Sequence, residues 1–215
     1  MRVYHSLDDL QPTERGFLLT VGTFDGVHRG HQYLLTLLVA HARASGCESM
    51  ALTFHPHPRQ VLQPERHARY LCSPQQREER MAELGVEHLI VLPFTQELAS
   101  QTAREFVGRL RPLGMQELWV GEGFRMGRGR TGTIEELRAL GREMGFRLRV
   151  VAPLRDGGEP ISSTRIRRLL GQGDVAEAAR LLGWPVALRG VVVPGEGRGQ
   201  RMGFPTANLP VDPSL

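Results

Sequence analysis

The feature that most restricts the fold is a repeated alternation, in which apolar runs of strand length are each followed by a stretch of helical period. "GFLLTVGTF" reads as a buried strand, and "GHQYLLTLLVAHARASG" after it sets Leu34, Leu35, Leu38 and Ala42 on one helical face before stopping at Gly46. "ESMALTF" is a second strand. After an irregular, proline-rich stretch from His55 to Leu71, "SPQQREERMAELG" predicts a helix capped by Ser73, opened by Pro74 and closed at Gly85. Strand "VEHLIVLPF", helix "TAREFVGRLRPLG", strand "QELWVGEGF", helix "TIEELRALGREMG" and strand "RLRVVAPL" continue the series. Strands this apolar are buried on both faces, so the pattern predicts an α/β fold, a Rossmann-like parallel sheet with helices on both faces. Ligands of such sheets bind at the carboxyl ends of the strands.

Two consecutive helices should follow, "SSTRIRRLLGQG" and "DVAEAARLLG", the second capped by Asp174. Near Trp184 and Pro185 the texture changes to "VALRGVVVPGEGRGQRMGFPTANLPVDPSL", a strand and then glycine-rich turns. This divides the chain into residues 1–183 and a β-rich beginning over 184–215.

Charge and composition narrow the chemistry. All 27 basic residues are arginine, and the chain has no lysine. A Walker P-loop, a Schiff-base enzyme and a protein-kinase fold each need that lysine, so none of them operates here. Arginine remains suited to phosphate, since its planar fork donates paired hydrogen bonds and stays charged. The net charge of +4 is mild, the arginines are scattered and aromatics make up 6%, so no nucleic-acid groove is expected. No apolar run approaches the ~20 residues of a membrane span, and the start lacks the apolar core of a secretory signal. The expected location is the cytoplasm, with Cys47 and Cys72 as isolated reduced thiols.

Two stretches have the form of anion sites. Gly26, His28, Gly30 and His31 spell G-x-H-x-G-H directly after a strand and before a helix. The glycines let a phosphate approach the backbone, the helix start offers unpaired N–H groups, and the histidines donate to phosphate oxygens. A tight turn with exposed histidines, or a zinc pair short of further ligands, are the other readings of the same residues. Ser162, Ser163, Thr164 and Arg167 spell S-S-T-x-x-R at a second helix start, which is either another phosphate seat or an ordinary N-cap. Taken together, two such helix starts suggest a nucleoside triphosphate.

Two more stretches are less specific. "GRGRTG" contains a G-x-G-x-x-G at Gly127, Gly129 and Gly132, but the preceding strand ends near Gly121 and arginines fill the loop. An arginine-bearing loop over a phosphate, or a plain surface loop, fits better than a dinucleotide fingerprint. In "TFHPHPRQVL" the prolines should stiffen an extended path while Phe54 and neighbouring rings offer flat apolar surface to an aromatic ligand; a rigid loop without function is the alternative.

"GTFDGVHRGH", "TFHPHP", "VGEGFRMGRGRTG", "ISSTRIRRLL" and "GRGQRMGFPTANL" occur in the order found in bacterial bifunctional riboflavin kinase/FAD synthetase, which the chain resembles over essentially its whole length. The resemblance implies an amino-terminal FMN adenylyltransferase of the nucleotidyltransferase superfamily, which uses magnesium-bound ATP and FMN and yields FAD and pyrophosphate. It implies catalytic roles for His28, His31 and Arg167, and ATP contacts from Gly22, Phe24, Gly26, Gly30, Ser162, Ser163 and Thr164, with no metal held directly by the protein. Phe54, Pro56, His57, Pro58 and Phe124 would border the flavin. Pro205, Thr206, Ala207 and Asn208 match the P-T-A-N element of the riboflavin kinase β-barrel, where the threonine and asparagine help hold the magnesium nucleotide.

Two departures stand out. Many relatives carry Asn or Asp where this chain has Gly123, and a second aromatic where it has Met126. The segment that would complete the kinase barrel, with its glutamate base, does not follow Leu215, and Asp212 sits too near the end to replace it. The chain therefore reads as truncated in its kinase part, with about two barrel strands from Pro185 onward, Val191 to Val193 exposed, and an open edge suited to self-association. A sister nucleotidyltransferase with another phosphate-ester acceptor, and a non-catalytic flavin or nucleotide sensor, remain as other functions.

Overall fold

The computed structural model describes residues 1–65 and 69–210. In chain order the elements are β1 (Arg2–Tyr4), β2 (Phe17–Val21), α1 (Arg29–Ser45), β3 (Glu48–His55), α2 (Pro58–Leu62), α3 (Pro74–Glu83), β4 (His88–Pro93), α4 (Gln96–Ser100), α5 (Ala103–Leu110), β5 (Met115–Gly121), α6 (Ile134–Met144) and β6 (Arg147–Val151). The hairpin β7 (Arg155–Asp156) and β8 (Glu159–Pro160) precedes α7 (Ser163–Gly171) and α8 (Val175–Leu182), and a single turn, α9 (Arg198–Arg201), follows.

Strands β1 to β6 form one sheet in the order β1-β4-β3-β2-β5-β6, with every neighbouring pair parallel. Side chains alternate across β2, so Phe17, Leu19 and Val21 join the core under α5 and α6 while Leu18 joins the one under α1 and α3. Each such leucine, fully enclosed, contributes about 1.5–3 kcal/mol of burial. The expected face of α1 is correct in outline, with Leu35, Leu38, Val39 and Ala42 buried and Leu34 partly so. Helix limits fall where glycine or a cap demanded them: Gly46 ends α1 in the left-handed region at φ 71, and Ser73 with Gln76 makes a full capping box at the start of α3.

Successive strands are added on opposite sides of β2, with β3 and β4 on one flank and β5 and β6 on the other. The crevice at the carboxyl end of β2 is thus the switch point of the sheet, where open α/β folds bind ligands. A third apolar cluster, built from Ile161, Ile166, Ala178, Leu181, Leu182 and Trp184, packs α7 and α8 beside it.

Several expectations are corrected. The path after β3 is not extended throughout, because Pro58, whose fixed φ suits a first helical position, opens the turn α2. The strand expected at "VALRGVVV" is absent: among the described residues after Trp184 the pairing is one antiparallel bridge, Val193 with Asn208, around α9. A lone two-strand pairing is marginal without a sheet to extend, and this stretch has no neighbouring strand. Val191 and Val192 are exposed, as expected. Asp212 lies outside the described residues. Edge strand β1, helix α4 and the hairpin β7–β8 were too short to register as periodic segments.

Candidate active site

Strand β2 delivers the chain to Gly22, whose absent Cβ would lie 3.1 Å from the Phe24 ring. A short 3-10 turn, Asp25–Val27, follows, and Gly26 within it holds φ 80, with space for a Cβ closed by Leu71 at 2.9 Å. Glycine is required at this position on both counts. The turn ends at His28, which caps α1 by accepting the His31 N–H at Nδ1, 3.4 Å away. That bond leaves the His28 proton on Nε2. The His28 and His31 rings stack with centroids 3.6 Å apart and planes at 17°. The Phe24 edge meets the His31 ring at 5.2 Å.

Burial keeps both imidazoles neutral. His28 is pulled down to about 4 by desolvation, with Arg167 adding to the effect, and His31 is pushed well below its usual value by burial and by its neighbour His28. The His31 Nδ1 is enclosed without a hydrogen-bond partner among the described residues. Neutral rings carry one N–H each, so these histidines offer dipoles rather than cationic charge.

The second helix start lies against the first. A Cβ on Gly30 would sit 3.2 Å from the Ile161 carbonyl, a tight approach that glycine relieves. Ser162 Oγ accepts the Arg165 N–H at 3.2 Å and caps α7, while Ser163 Oγ donates to the Asp25 carbonyl at 2.9 Å. Arg167 donates through Nε to the Arg69 carbonyl at 2.6 Å and through Nη2 to the Asp25 carboxylate. Thr164 is exposed beside them. Asp25 also accepts the Leu71 N–H at 2.9 Å; burial pushes its carboxyl up, and Arg167 opposes that rise. Trp184 Nε1 donates to the Gly26 carbonyl at 3.1 Å, and Gln32 bridges the Val27 and Leu182 carbonyls at 2.8 and 2.7 Å.

Beside this junction stands the proline-rich segment. Phe54 is half-buried edge-on to Phe94, ring centres 5.4 Å apart, and shares an apolar cluster with Phe124. His55 and Pro56 are joined by a cis peptide bond, and Pro56 is exposed. His57 caps α2, donates its own N–H to Tyr70 at 2.6 Å, and is held neutral near about 4 by burial and the nearby guanidiniums. The G-x-G-x-x-G loop is a bridged turn in which Met126 and Gly132 exchange backbone bonds, and it leans on the link between α4 and α5 through the Arg128 N–H to the Gln101 carbonyl, 2.7 Å. It does not open a helix directly after a strand, so the dinucleotide reading fails. Thr206 and Asn208 line a separate cavity of about 290 Å³ with Val193, Gly195 and Gln200. Another cavity, of about 460 Å³ and edged by Glu14, Arg111, Gln116 and Arg147, opens at the amino ends of the strands, remote from the histidines. Among the described residues no group of three or more His, Cys, Asp or Glu is placed to hold a metal ion.

The residues passed over in the sequence are Asp25, Arg77, Gln32 and Trp184. Asp25 did carry a signal, since an acidic residue amid "VGTFDGV" is costly to bury unless something pairs with it. Nothing local marked the other three.

The family description FAD synthetase matches residues 10–165. The chain belongs to the FAD synthetase family. The riboflavin kinase family matches residues 182–215 of this FAD synthetase family member. The bifunctional riboflavin kinase/FMN adenylyltransferase of Escherichia coli strain K12 is 36% identical over 213 residues, 98% of this chain and 67% of that protein. Its Pseudomonas fluorescens counterpart is 37% identical over 211 residues, covering 97% of this chain and 68% of the relative. A Geobacillus thermodenitrificans protein, 37% identical over 188 residues, is matched over 99% of its own length. The crystal structure of a macrolide-efflux protein from Streptococcus pneumoniae superposes with a TM-score of 0.85 at 32% identity, over 98% of this chain and 68% of that one. Efflux is said of that protein; in this FAD synthetase family member no helix of the described residues is long and apolar enough to cross a membrane.

Proposed function

We propose that this chain transfers the adenylyl group of ATP to the phosphate of FMN, forming FAD and releasing pyrophosphate. The observation that carries the reading is the junction at the switch point of the sheet, where the starts of α1 and α7 are joined through Asp25 beside an aromatic, proline-rich wall. Two adjacent helix starts offer unpaired N–H groups and positive dipole ends to one polyphosphate. An aromatic wall beside them suits a flavin ring.

An FMN phosphate oxygen attacks the α-phosphorus of ATP, a P–O bond forms, and the bond to the β-phosphate oxygen breaks with its electron pair leaving on pyrophosphate. No covalent enzyme intermediate is needed, so the protein positions the reactants and stabilises charge. His28 and His31 donate to oxygens around the α-phosphate, while Ser163, Thr164 and Arg167 hold the outer phosphates. Gly22, Phe24, Gly26 and Gly30 let the nucleotide approach the backbone. Phe54, Pro56, His57, Pro58 and Phe124 border the flavin. Magnesium enters as part of the ATP substrate, ligated by phosphate oxygens and water, as is usual for this ion.

The reading further assigns residues 184–215 to a riboflavin kinase unit, with Thr206 and Asn208 toward its nucleotide, and places the reaction in the cytoplasm, where the buried thiols Cys47 and Cys72 stay reduced. Exposed Val191, Val192 and Phe204 are the surface through which copies of the chain would associate. The test is to incubate the chain with ATP, magnesium and FMN and to look for FAD and pyrophosphate by chromatography. Adenylylation of another phosphate ester without FAD replaces the acceptor, and binding without turnover of any kind replaces the enzyme with a sensor.

A further inference from the structure

Arg77 lies on α3, outside every stretch that pointed to the site, and is 3% exposed. Its Nη1 donates to the Thr23 carbonyl at 3.1 Å and to the Phe54 carbonyl at 3.4 Å. Those two carbonyls stand at the carboxyl ends of β2 and β3, so the guanidinium bridges the phosphate turn and the aromatic wall. Its Nε and Nη2 are enclosed and have no partner among the described residues. Buried donors of a charged group are normally completed, because leaving them unpaired forfeits the solvation they had in water.

Charge points the same way. The carboxylate acting most strongly on Arg77 is Asp25, which is already bonded to Arg167, and Glu78 acts on it more weakly. His28 and His57 are neutral, and Cys72, pushed up to about 11 by burial, is a thiol. Two guanidiniums therefore share one buried carboxylate, and an anion is the missing complement. Since Arg167 already stands with the helix starts assigned to ATP, while Arg77 reaches the Phe54 carbonyl on the flavin side, the second anion comes with the flavin.

We infer that Arg77 is a specificity-determining residue that selects a phosphorylated flavin, its Nη1 exchanging the longer bond to the Phe54 carbonyl for a phosphate oxygen of the monoester. This rests on the FMN reading of the site. A planar fork suits a phosphate oxygen pair, and riboflavin, which lacks the phosphate, gains nothing from it.

The experiment titrates flavin fluorescence for FMN and for riboflavin in the parent, Arg77→Gln and Arg77→Lys, and measures KM for ATP alongside. The expected result for Arg77→Gln is FMN binding weaker by about tenfold or more, with riboflavin affinity and KM for ATP unchanged, a loss on the scale of one charge-assisted contact. Arg77→Lys keeps the charge without the fork, and should lose part of the FMN preference with riboflavin again unaffected; its FMN-to-riboflavin ratio still decides the matter if the glutamine variant does not fold. Equal weakening for both flavins, or a loss confined to ATP, overturns the assignment while the parent still makes FAD. A parent that binds neither flavin overturns the FMN reading and this inference together.

Discussion

Arg167 Nη2 donates to Asp25 Oδ2, joining residues 142 positions apart, and the side chain of Asp25 is 2% exposed against 23% for that of Arg167. The carboxylate sits where the chain leaves β2 and the guanidinium one turn into α7, so the pair fixes the two helix starts relative to each other. Ser163, bonded to the carbonyl of the same aspartate, adds a second tie. Whatever binds across α1 and α7 meets a surface already set in register.

Asp25→Asn keeps the shape and removes the charge. Losing a charged hydrogen bond costs about 1–3 kcal/mol, and partial exposure of Arg167 puts the expected loss toward the lower half of that range. Urea unfolding should show the drop, and KM for ATP should rise as Arg167 loses its anchor. Unchanged stability and unchanged ATP affinity together would show that the pair holds nothing in place.

On the proposed reading, His31→Ala removes a donor from the reacting centre. Loss of one transition-state donor typically lowers turnover by about a hundredfold to a thousandfold. Stopped assays of FAD formation at saturating ATP and FMN measure it directly. A variant within threefold of the parent sinks the role given to His31.

The buried histidines set a stability profile with pH. His28 and His57 take a proton near about 4 in the folded chain, His31 well below its usual value, and all three near 6.5 when unfolded. Between about 4 and 6.5 the unfolded chain binds more protons, so stability rises with pH, is complete above about 6.5, and is lost as pH falls. At ~1.4 kcal/mol per pH unit, His28 removes up to about 3 kcal/mol by pH 4, and His57, closer to solvent and more screened, removes less. Asp25, pushed up by burial, works in the opposite direction, and three imidazoles outweigh it. Denaturant midpoints at pH 7.5 and pH 5 should differ clearly; a flat profile would mean the rings are not held neutral by the fold.

Much of this was legible from residue order, for a physical reason. A buried parallel strand and an amphipathic helix each leave a local pattern, and so do the caps Ser73, Ser162 and Asp174, whose side chains accept bonds only three residues on. The G-x-H-x-G-H turn was legible too, since Gly26 holds a left-handed φ and the His28 cap accepts a bond only three residues on. Long-range pairings leave no such mark. Asp25 with Arg167, Trp184 with the Gly26 carbonyl and Arg77 with the Thr23 carbonyl depend on chain reversals that periodicity does not encode. The strand expected around Val191 failed for a related reason: β-propensity is realised only against a partner strand, and there the chain makes a single bridge.

The last prediction is that these 215 residues make no FMN from riboflavin and ATP, although Thr206 and Asn208 are present. A small β-barrel encloses its interior only when the sheet closes. From Trp184 to Pro210 the chain supplies one antiparallel bridge and one helical turn, with Val191 80%, Met202 74% and Phe204 77% exposed. The cavity beside Thr206 and Asn208 is open to water rather than enclosed by strands, so contacts to a nucleotide there act at high dielectric and contribute little. Phosphorylating a hydroxyl also needs a group that orients the nucleophile and accepts its proton. Glu196 is the one carboxylate among the described residues of this stretch, and it is paired with Arg198 at 2.5 Å. The assay supplies riboflavin, ATP and magnesium without FMN and compares the flavins with a protein-free control. FMN or FAD above that control would overturn this prediction and show that a kinase site assembles from these residues.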